Sequence, residues 1–177
     1  MVRGKDSASP WLESLWLGKE KRMFAKLMRT DPHNLTLTTL RLVLGVVFFA
    51  HGAQKALGWF GGYGFSGTIG FFTQQLGIPA PLAFLAICAE FLGGIGLIVG
   101  FLTRVAAFGI FCNMVVAVFM VHHRFGLFMN WGGTQKGEGI EFHLLALAMA
   151  GAIMIAGAGA FSIDGFLSGS AAPDRLR

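Results

Sequence analysis

The chain has 177 residues, 54% of them hydrophobic and 13% charged, against about 25% charged in ordinary soluble domains. That balance excludes intrinsic disorder, which needs low hydrophobicity and high charge. Two cysteines, Cys88 and Cys112, are too few for a disulfide scaffold. The net charge of +5 invites a nucleic-acid partner only if the basic residues form a surface of their own.

They do not. Residues 1–34 form a basic tail with seven Lys and Arg against four Asp and Glu. Within it, Ser9-Pro10 reads as a helix start. Trp11, Leu12, Leu15, Trp16, Met23 and Leu27 follow at rough helical spacing, with basic residues between them. The tail is expected to be an amphipathic helix lying in the membrane interface, or else a partly ordered basic arm. It lacks the continuous apolar core of a secretory signal, so cleavage is not expected.

Residues 35–167 contain four apolar segments: Leu35–Leu57, Ala80–Leu102, Val105–Val121 and Leu144–Phe161. The last two carry no charge. At about 1.5 Å per residue, each approaches the roughly 30 Å of a bilayer's hydrocarbon core. Runs this long and without alternation must be helices, because lipid leaves no other way to satisfy the backbone. The expected fold is an all-α integral membrane four-helix bundle, followed by a C-terminal tail, residues 168–177.

The connection Gly58–Pro79 is apolar and uncharged. Ser66 is placed to cap a short interfacial helix with Ile69, Phe72 and Leu76 on one side. The 122–143 connection mixes aromatics with Asn130, Gln135, Lys136, Glu138 and Glu141. Trp59 and Trp131 sit where aromatic anchors belong. Both loops read as interface anchors or as the rim of a binding surface.

Counting Lys and Arg in the flanks gives ten on the side of the two tails and Arg104, and three on the other: Lys55, Arg124 and Lys136. The positive-inside rule then places both termini in the cytoplasm. The basic excess is a topology signal. The bilayer is the expected partner, and nucleic acid is not.

Ionisable residues inside membrane spans are costly and each needs a partner or a role. The first span carries Arg41, His51, Gln54 and Lys55, with Arg41, His51 and Lys55 inside a sector of about 80°. Glu90 lies mid-way along the second and Asn113 mid-way along the third. His122 closes the third, and Glu141 and His143 open the fourth. Counted from the cytoplasmic end, Arg41, Asn113 and Glu90 fall at about 9, 14 and 18 Å. His51, His122, His143, Lys55 and Glu141 fall at about 24–30 Å, with Gln54 among them. The lower layer is expected to be an Arg41–Glu90 ion pair braced by Asn113, or to present Glu90 as a proton acceptor beside a reducible ligand. The upper layer is expected to be a hydrogen-bonded cap, or a pocket in which His51 and Lys55 donate to the carbonyl oxygens of a quinone-like ring. No pair has the HxxxH or ExxH spacing of a metal or haem site, so no metal is expected.

Cys88 and Cys112 differ in estimated height by about 9 Å, too far for a disulfide, and read as packing residues. Gly96 with Gly100, and Gly52 with Ala56, have the small-xxx-small spacing that lets helices approach closely.

Taken together these residues resemble the DoxX family. Its first-span pattern appears as Arg41, Gly45 and His51-Gly52-Ala53-Gln54-Lys55. The second-span acidic residue before glycines appears as Glu90-Phe91-Leu92-Gly93-Gly94, leading to Gly100-Phe101-Leu102-Thr103-Arg104. Gly137 to His143 resembles the start of the family's fourth span. Gly157 to Asp164 resembles its closing element, with Ile163 at a Leu position. The likeness covers roughly residues 35–167, and the basic tail before Leu35 lies outside the family core.

The resemblance implies a multi-pass protein of a bacterial-type inner membrane and a membrane subunit of a redox complex. The family takes its name from a membrane subunit of a thiosulfate:quinone oxidoreductase, and other members are linked to oxidative-stress defence. The sequence shows no nucleotide fingerprint, CxxC pair or c-type haem motif, so no intrinsic cofactor is expected. Any redox centre would lie in a protein partner or in the quinone pool. If the chain is active it is an oxidoreductase subunit, with Glu90 the candidate catalytic residue. The alternative is a structural or assembly subunit of a larger membrane complex with no chemistry of its own. A small-solute transporter is disfavoured by the absence of a visible repeat or a broken-helix pair.

Overall fold

The computed structural model describes Met23 and residues 26–170, without the side chains of Gly169 and Ser170. Apart from Met23 and residues 26–28, which are helical, the expected amphipathic helix of the basic tail falls outside these, as do the last seven residues of the C-terminal tail. The described residues are helical with no strand.

The first helix, α1, spans Leu35–Leu57. Asn34 opens it, accepting the Leu37 N–H at 3.0 Å, which satisfies one of the donors that every helix start leaves free. Glycine in the left-handed conformation, Gly58, closes it. A 3₁₀ turn, Trp59–Gly61, leads to α2, Gly64–Gly70, which continues as a π turn over Phe71–Gln75. Ser66 lies inside α2 and does not cap it. The left-handed Gly64 sets the start two residues earlier. Ile69, Phe72 and Leu76 are half-buried, whereas Phe65 and Phe71 are exposed.

Helix α3 spans Ala80–Val99, with Pro81 in its first turn, where a missing N–H costs nothing. Helix α4, Thr103–Ala117, runs into a π turn at Val118–His122 and a 3₁₀ turn at His123–Phe125. Helix α5 spans Glu141–Ala156, and α6, Ile163–Ser170, is a short closing helix.

Three of these are long and apolar enough to cross a bilayer: Leu35–Leu57, Ala80–Val99 and Thr103–Phe125. Helix α5, with 16 residues, reaches about 24 Å. It begins before the expected apolar segment, at Glu141, and ends before Phe161, because Gly157 turns the chain at φ +92°. The residues from Gly157 to Ser162 then form an irregular, hydrogen-bonded strap rather than more span.

The four long helices share one core. Leu44 and Phe48 from α1 and Leu97 from α3 pack with Ala107, Ile110 and Met114 of α4 and with Ala146, Ala150 and Ile153 of α5. Large apolar residues such as Val46, Leu85, Phe108 and Leu145 point outward. An apolar outer surface around a small-residue core is how a bundle meets lipid rather than water.

Helices α1 and α3 are antiparallel and nearly touch. A Cβ on Gly45 would stand 3.0 Å from Ile98, and one on Gly52 would stand 2.7 Å from the Glu90 carbonyl carbon. One on Gly94 would stand 2.7 Å from the Phe49 Cα. Real Cβ atoms do not tolerate such separations from backbone, so only glycine fits at Gly52 and Gly94. The close approach expected at Gly52 is present, and Gly45 and Gly94 share it.

Candidate functional site

Side chains on a helix lean toward its N-terminus. In an antiparallel pair, the side chains of the two helices therefore lean in opposite directions. On α1, Lys55 leans from near the helix end back toward the middle. On α3, Glu90 at the level of Gly52 leans up to meet it. The Lys55 ammonium pairs with Glu90 Oε2, and Asn113 of α4 donates to Glu90 Oε1 at 2.7 Å. The Glu90 side chain is 5% exposed and that of Lys55 25%. Each carboxylate oxygen thus has one charged or polar donor, and the ion pair opens toward the surface only on its lysine side.

Arg41, on the same helix as Lys55, leans in the same direction and so away from Glu90. It lies eleven residues before Gly52 on α1, about 16 Å nearer the opposite end. The expected Arg41–Glu90 pair therefore does not form. Arg41 is fully buried and donates to five carbonyls: Nε to Ala158 at 2.9 Å, Nη1 to Leu97 at 2.5 Å and Ile98 at 2.8 Å, and Nη2 to Ala160 at 3.3 Å and Phe161 at 3.1 Å. Leu97 and Ile98 belong to the last turn of α3, whose carbonyls lack a full set of helical partners (that of Leu97 accepts the Gly100 N–H at 3.3 Å) and carry the negative end of its dipole. A planar guanidinium with five donors suits that cluster as no lysine could.

Arg104 repeats the arrangement on α5. Its Nη1 donates to the carbonyls of Met154 and of Ile155 (2.6 Å), and its Nη2 to that of Arg29 (3.0 Å). Asp164 completes this end of the bundle. Its carboxylate, 2% exposed, accepts the N–H groups of Leu102 and Thr103 at 2.9 Å each, capping the start of α4. Leu102 and Phe161 both adopt left-handed backbone, with φ of +49° and +50°, which costs about 1–2 kcal/mol for a residue with a Cβ. The buried Asp164 holds the Leu102 N–H, and the buried Arg41 holds the Phe161 carbonyl.

Near the opposite end, His51 is exposed on α1 beside Phe48 and Phe142, with ring centroids at 6.4 and 5.9 Å. Gln54 lies within hydrogen-bond reach of His51 and donates to the Phe60 carbonyl at 3.4 Å. The ring of His143, at the start of α5, lies 4.1 Å from that of His122, tilted by 39°. His122 Nδ1 donates to the Glu138 carbonyl at 2.8 Å. His143 is 5% exposed, and its Nδ1 is buried without a hydrogen-bond partner.

Glu141 stands apart from both groups, accepting the Trp131 indole N–H at 2.7 Å in the loop. The two expected layers are thus regrouped. Glu90 and Asn113 join Lys55 and His51, Arg41 belongs to a helix-capping cluster, and Glu141 belongs to the loop. Among the described residues, no three His, Cys, Asp or Glu side chains converge as metal ligands. Both cysteines are free thiols.

Two structural ions carried weak signals in the sequence. Arg104 reads only as a flanking charge, and Asp164 stands out only through the resemblance of the segment Gly157 to Asp164. Their roles depend on backbone groups, which a sequence does not display.

The described residues thus form an all-helical bundle with membrane-length helices, in which a part-buried Lys55–Glu90 pair joins α1 to α3. The DoxX family profile matches residues 36–123. The chain is 32% identical over 132 residues to "Inner membrane protein YqjF" of Escherichia coli (strain K12), covering 72% of this chain and 88% of that protein. It is 30% identical over 82 residues to "Putative oxidoreductase CatD" of Bacillus subtilis (strain 168), covering 46% of this chain and 56% of that protein. No solved structure matches. The chain belongs to the DoxX family and is a membrane protein. Arg41, the motif from His51 to Lys55, Glu90 and Asn113 all lie inside the matched segment, whereas His143 and Asp164 lie beyond it.

Proposed function

We propose that the protein is an integral subunit of a redox complex in a bacterial-type inner membrane, with a quinone-binding site at His51, Lys55 and Glu90. The observation that carries this is the clamped carboxylate. Glu90 sits buried within a membrane-length helix, held by Lys55 and Asn113, while His51, one turn before Lys55, is exposed. Intramembrane ionisable groups are expensive and mark ligand or proton pathways. The link to oxidation chemistry rests on family membership and on the printed name of the Bacillus relative.

The residues present fit a quinone. His51 and Lys55 supply donors for ring carbonyls, and Phe48 and Phe142 offer flat apolar surfaces next to His51. A bound quinone would supply two-electron chemistry with proton uptake. Lys55 would orient one carbonyl, and Glu90 would hold or yield a proton at Oε2, with Asn113 fixing the carboxylate. Arg41 is excluded from this role because its donors are committed to backbone carbonyls.

Both termini are placed in the cytoplasm, as the distribution of Lys and Arg directs. Residues 29–34, the α3–α4 turn and the strap from Gly157 to Asp164 share one end of the bundle, consistent with that arrangement. Reporter fusions after Gly61, Thr134 and Ser170 test it, with the first two expected outside.

The decisive experiment is lipid extraction from protein purified in mild detergent, together with identification of co-purifying chains. Quinone retained by the native protein and lost on Lys55→Met is the expected result. A chain that carries no quinone, and whose Glu90→Gln variant assembles normally with the same partners, would instead be a structural or assembly subunit.

A further inference from the structure

Five ionisable side chains from four elements form a broken column through the loop-side half of the bundle. Glu90 of α3 is paired with Lys55 of α1. His51, one turn before Lys55, lies within electrostatic reach of both. His143 of α5 lies within reach of His51, and Phe142 separates them with centroids 5.9 Å from His51 and 5.5 Å from His143. His143 then stacks on His122, in the π turn that ends α4. A π turn inside or ending a helix often accompanies function. His122 is half-buried and hydrogen-bonded to the 126–140 loop.

The imidazole states point the same way. A carbonyl can only accept, so His122 donates through Nδ1 to Glu138. This leaves its Nε2 with a free lone pair in the neutral ring. His143 Nδ1 is buried and makes no hydrogen bond of normal geometry, and the Gly139 carbonyl is the backbone group that interacts with the ring. Apart from Lys136, which faces this end from the same loop, the other charged groups here are engaged elsewhere. Glu138 accepts the Asn130 N–H, Glu141 accepts the Trp131 N–H, and Arg124 donates to Val121 and lies over the Phe125 ring. His123 Nδ1 meets the Val118 carbonyl.

We infer that His122, His143 and His51 form a proton relay connecting the loop side of the membrane with the Lys55–Glu90 pair. In the inward direction, His122 Nε2 takes a proton from water at the loop and becomes imidazolium. It passes one proton to His143, and His143 passes one to His51. A water molecule or a rotation of the exposed His51 side chain closes the gap beside Phe142. His51 delivers the proton to the Glu90 carboxylate, which becomes a carboxyl group while Lys55 keeps its own proton. The net change is one proton removed from water and one gained by Glu90, with each imidazole returned to neutrality. No oxidant or reductant enters, so the relay operates whether or not a quinone occupies the site.

The test is a pH jump on the full chain in lipid nanodiscs, followed by time-resolved infrared spectroscopy. The band of a protonated carboxyl group that disappears in Glu90→Gln reports on Glu90. His143→Phe and His51→Phe are expected to slow its appearance by on the order of a hundredfold, the lower range for a positioned proton-transfer group, with little change in its equilibrium midpoint. His122→Gln should slow it too, because glutamine keeps a donor for the Glu138 carbonyl but cannot carry a proton. Unchanged rates in correctly folded variants overturn the relay, as does a midpoint that moves without a change in rate. Failure to find a Glu90 band at any pH also overturns it. Quinone content is measured separately on the same samples, so loss of the redox proposal and loss of the relay are distinguishable.

Discussion

Gly52 of α1 sits directly against the backbone of Glu90 of α3, and this contact brings Lys55 within reach of the Glu90 carboxylate. The ion pair depends on the backbone approach rather than producing it. A methyl group on Gly52 must push the helices apart, and overpacking of this kind costs about 1–3 kcal/mol. Gly52→Ala is therefore expected to lower stability by at least that amount in a reversible detergent-unfolding assay. It should also lower quinone retention if the pair orients the ligand. A Gly61→Ala control, at a position with open space around it, tests backbone strain without helix contact.

Removing one member of the Lys55–Glu90 pair leaves the other uncompensated. Lys55→Met strands a buried carboxylate and should cost about 3–5 kcal/mol, the usual penalty for breaking a buried pair. Glu90→Gln should cost less, because the amide still accepts from Asn113 and the partly exposed Lys55 can turn to water. The double variant is expected to recover part of the loss, and a double-mutant cycle measures how much. Strict additivity would show that the two residues are not coupled.

Arg41→Lys cannot serve all five carbonyls, although those of Leu97 and Ala160 keep the Gly100 N–H and the Thr38 hydroxyl as donors. One ammonium has three protons and no planar fork, and each unsatisfied buried carbonyl costs about 1–3 kcal/mol. The expected result is a large fall in folded yield, with Arg41→Lys nearly as damaging as Arg41→Gln. Asp164→Asn should be milder. It keeps one oxygen acceptor for the two N–H groups at the start of α4, and lost caps cost about 0.5–2 kcal/mol. Hydrogen exchange at Leu102 and Thr103 should rise selectively in that variant.

Trp131→Phe removes the indole donor that holds Glu141. Trp131 is 86% exposed, so global stability should change by no more than about 0.5 kcal/mol. Limited proteolysis within residues 126–140 should nevertheless accelerate, because the loop loses one of its few ties to α5.

The helical class of the fold was legible from unalternating apolar runs, and the first span from Leu35 to Leu57 coincides with α1. The polar residues inside those runs were legible as a set, because lipid makes each one conspicuous. Their pairing was not. Counting residues gives the height of a Cα atom, but Lys55 and Glu90 meet through long side chains that lean toward each other, and Arg41 leans away. The roles of Arg41, Arg104 and Asp164 were hidden for a second reason. Their partners are main-chain carbonyls and N–H groups, present at every residue and visible only once the chain has turned at Gly100, Leu102, Gly157 and Phe161. The fourth helix ended early because Gly157 sits in an otherwise uninterrupted apolar run, and hydropathy does not register a turn.

The cage around Arg41 also imposes an order on biosynthesis. Arg41 belongs to the first membrane-length helix, yet its acceptors, from Leu97 to Phe161, are translated after it. Until they arrive, α1 rests in the bilayer with a bare cation that favours the headgroup region. Docking of α3 supplies the first two carbonyls, and the strap after α5 supplies the rest. The first of the membrane-length helices is thus among the last to settle, and a chain cut short before Gly157 would leave that helix without three of the five carbonyls that hold Arg41.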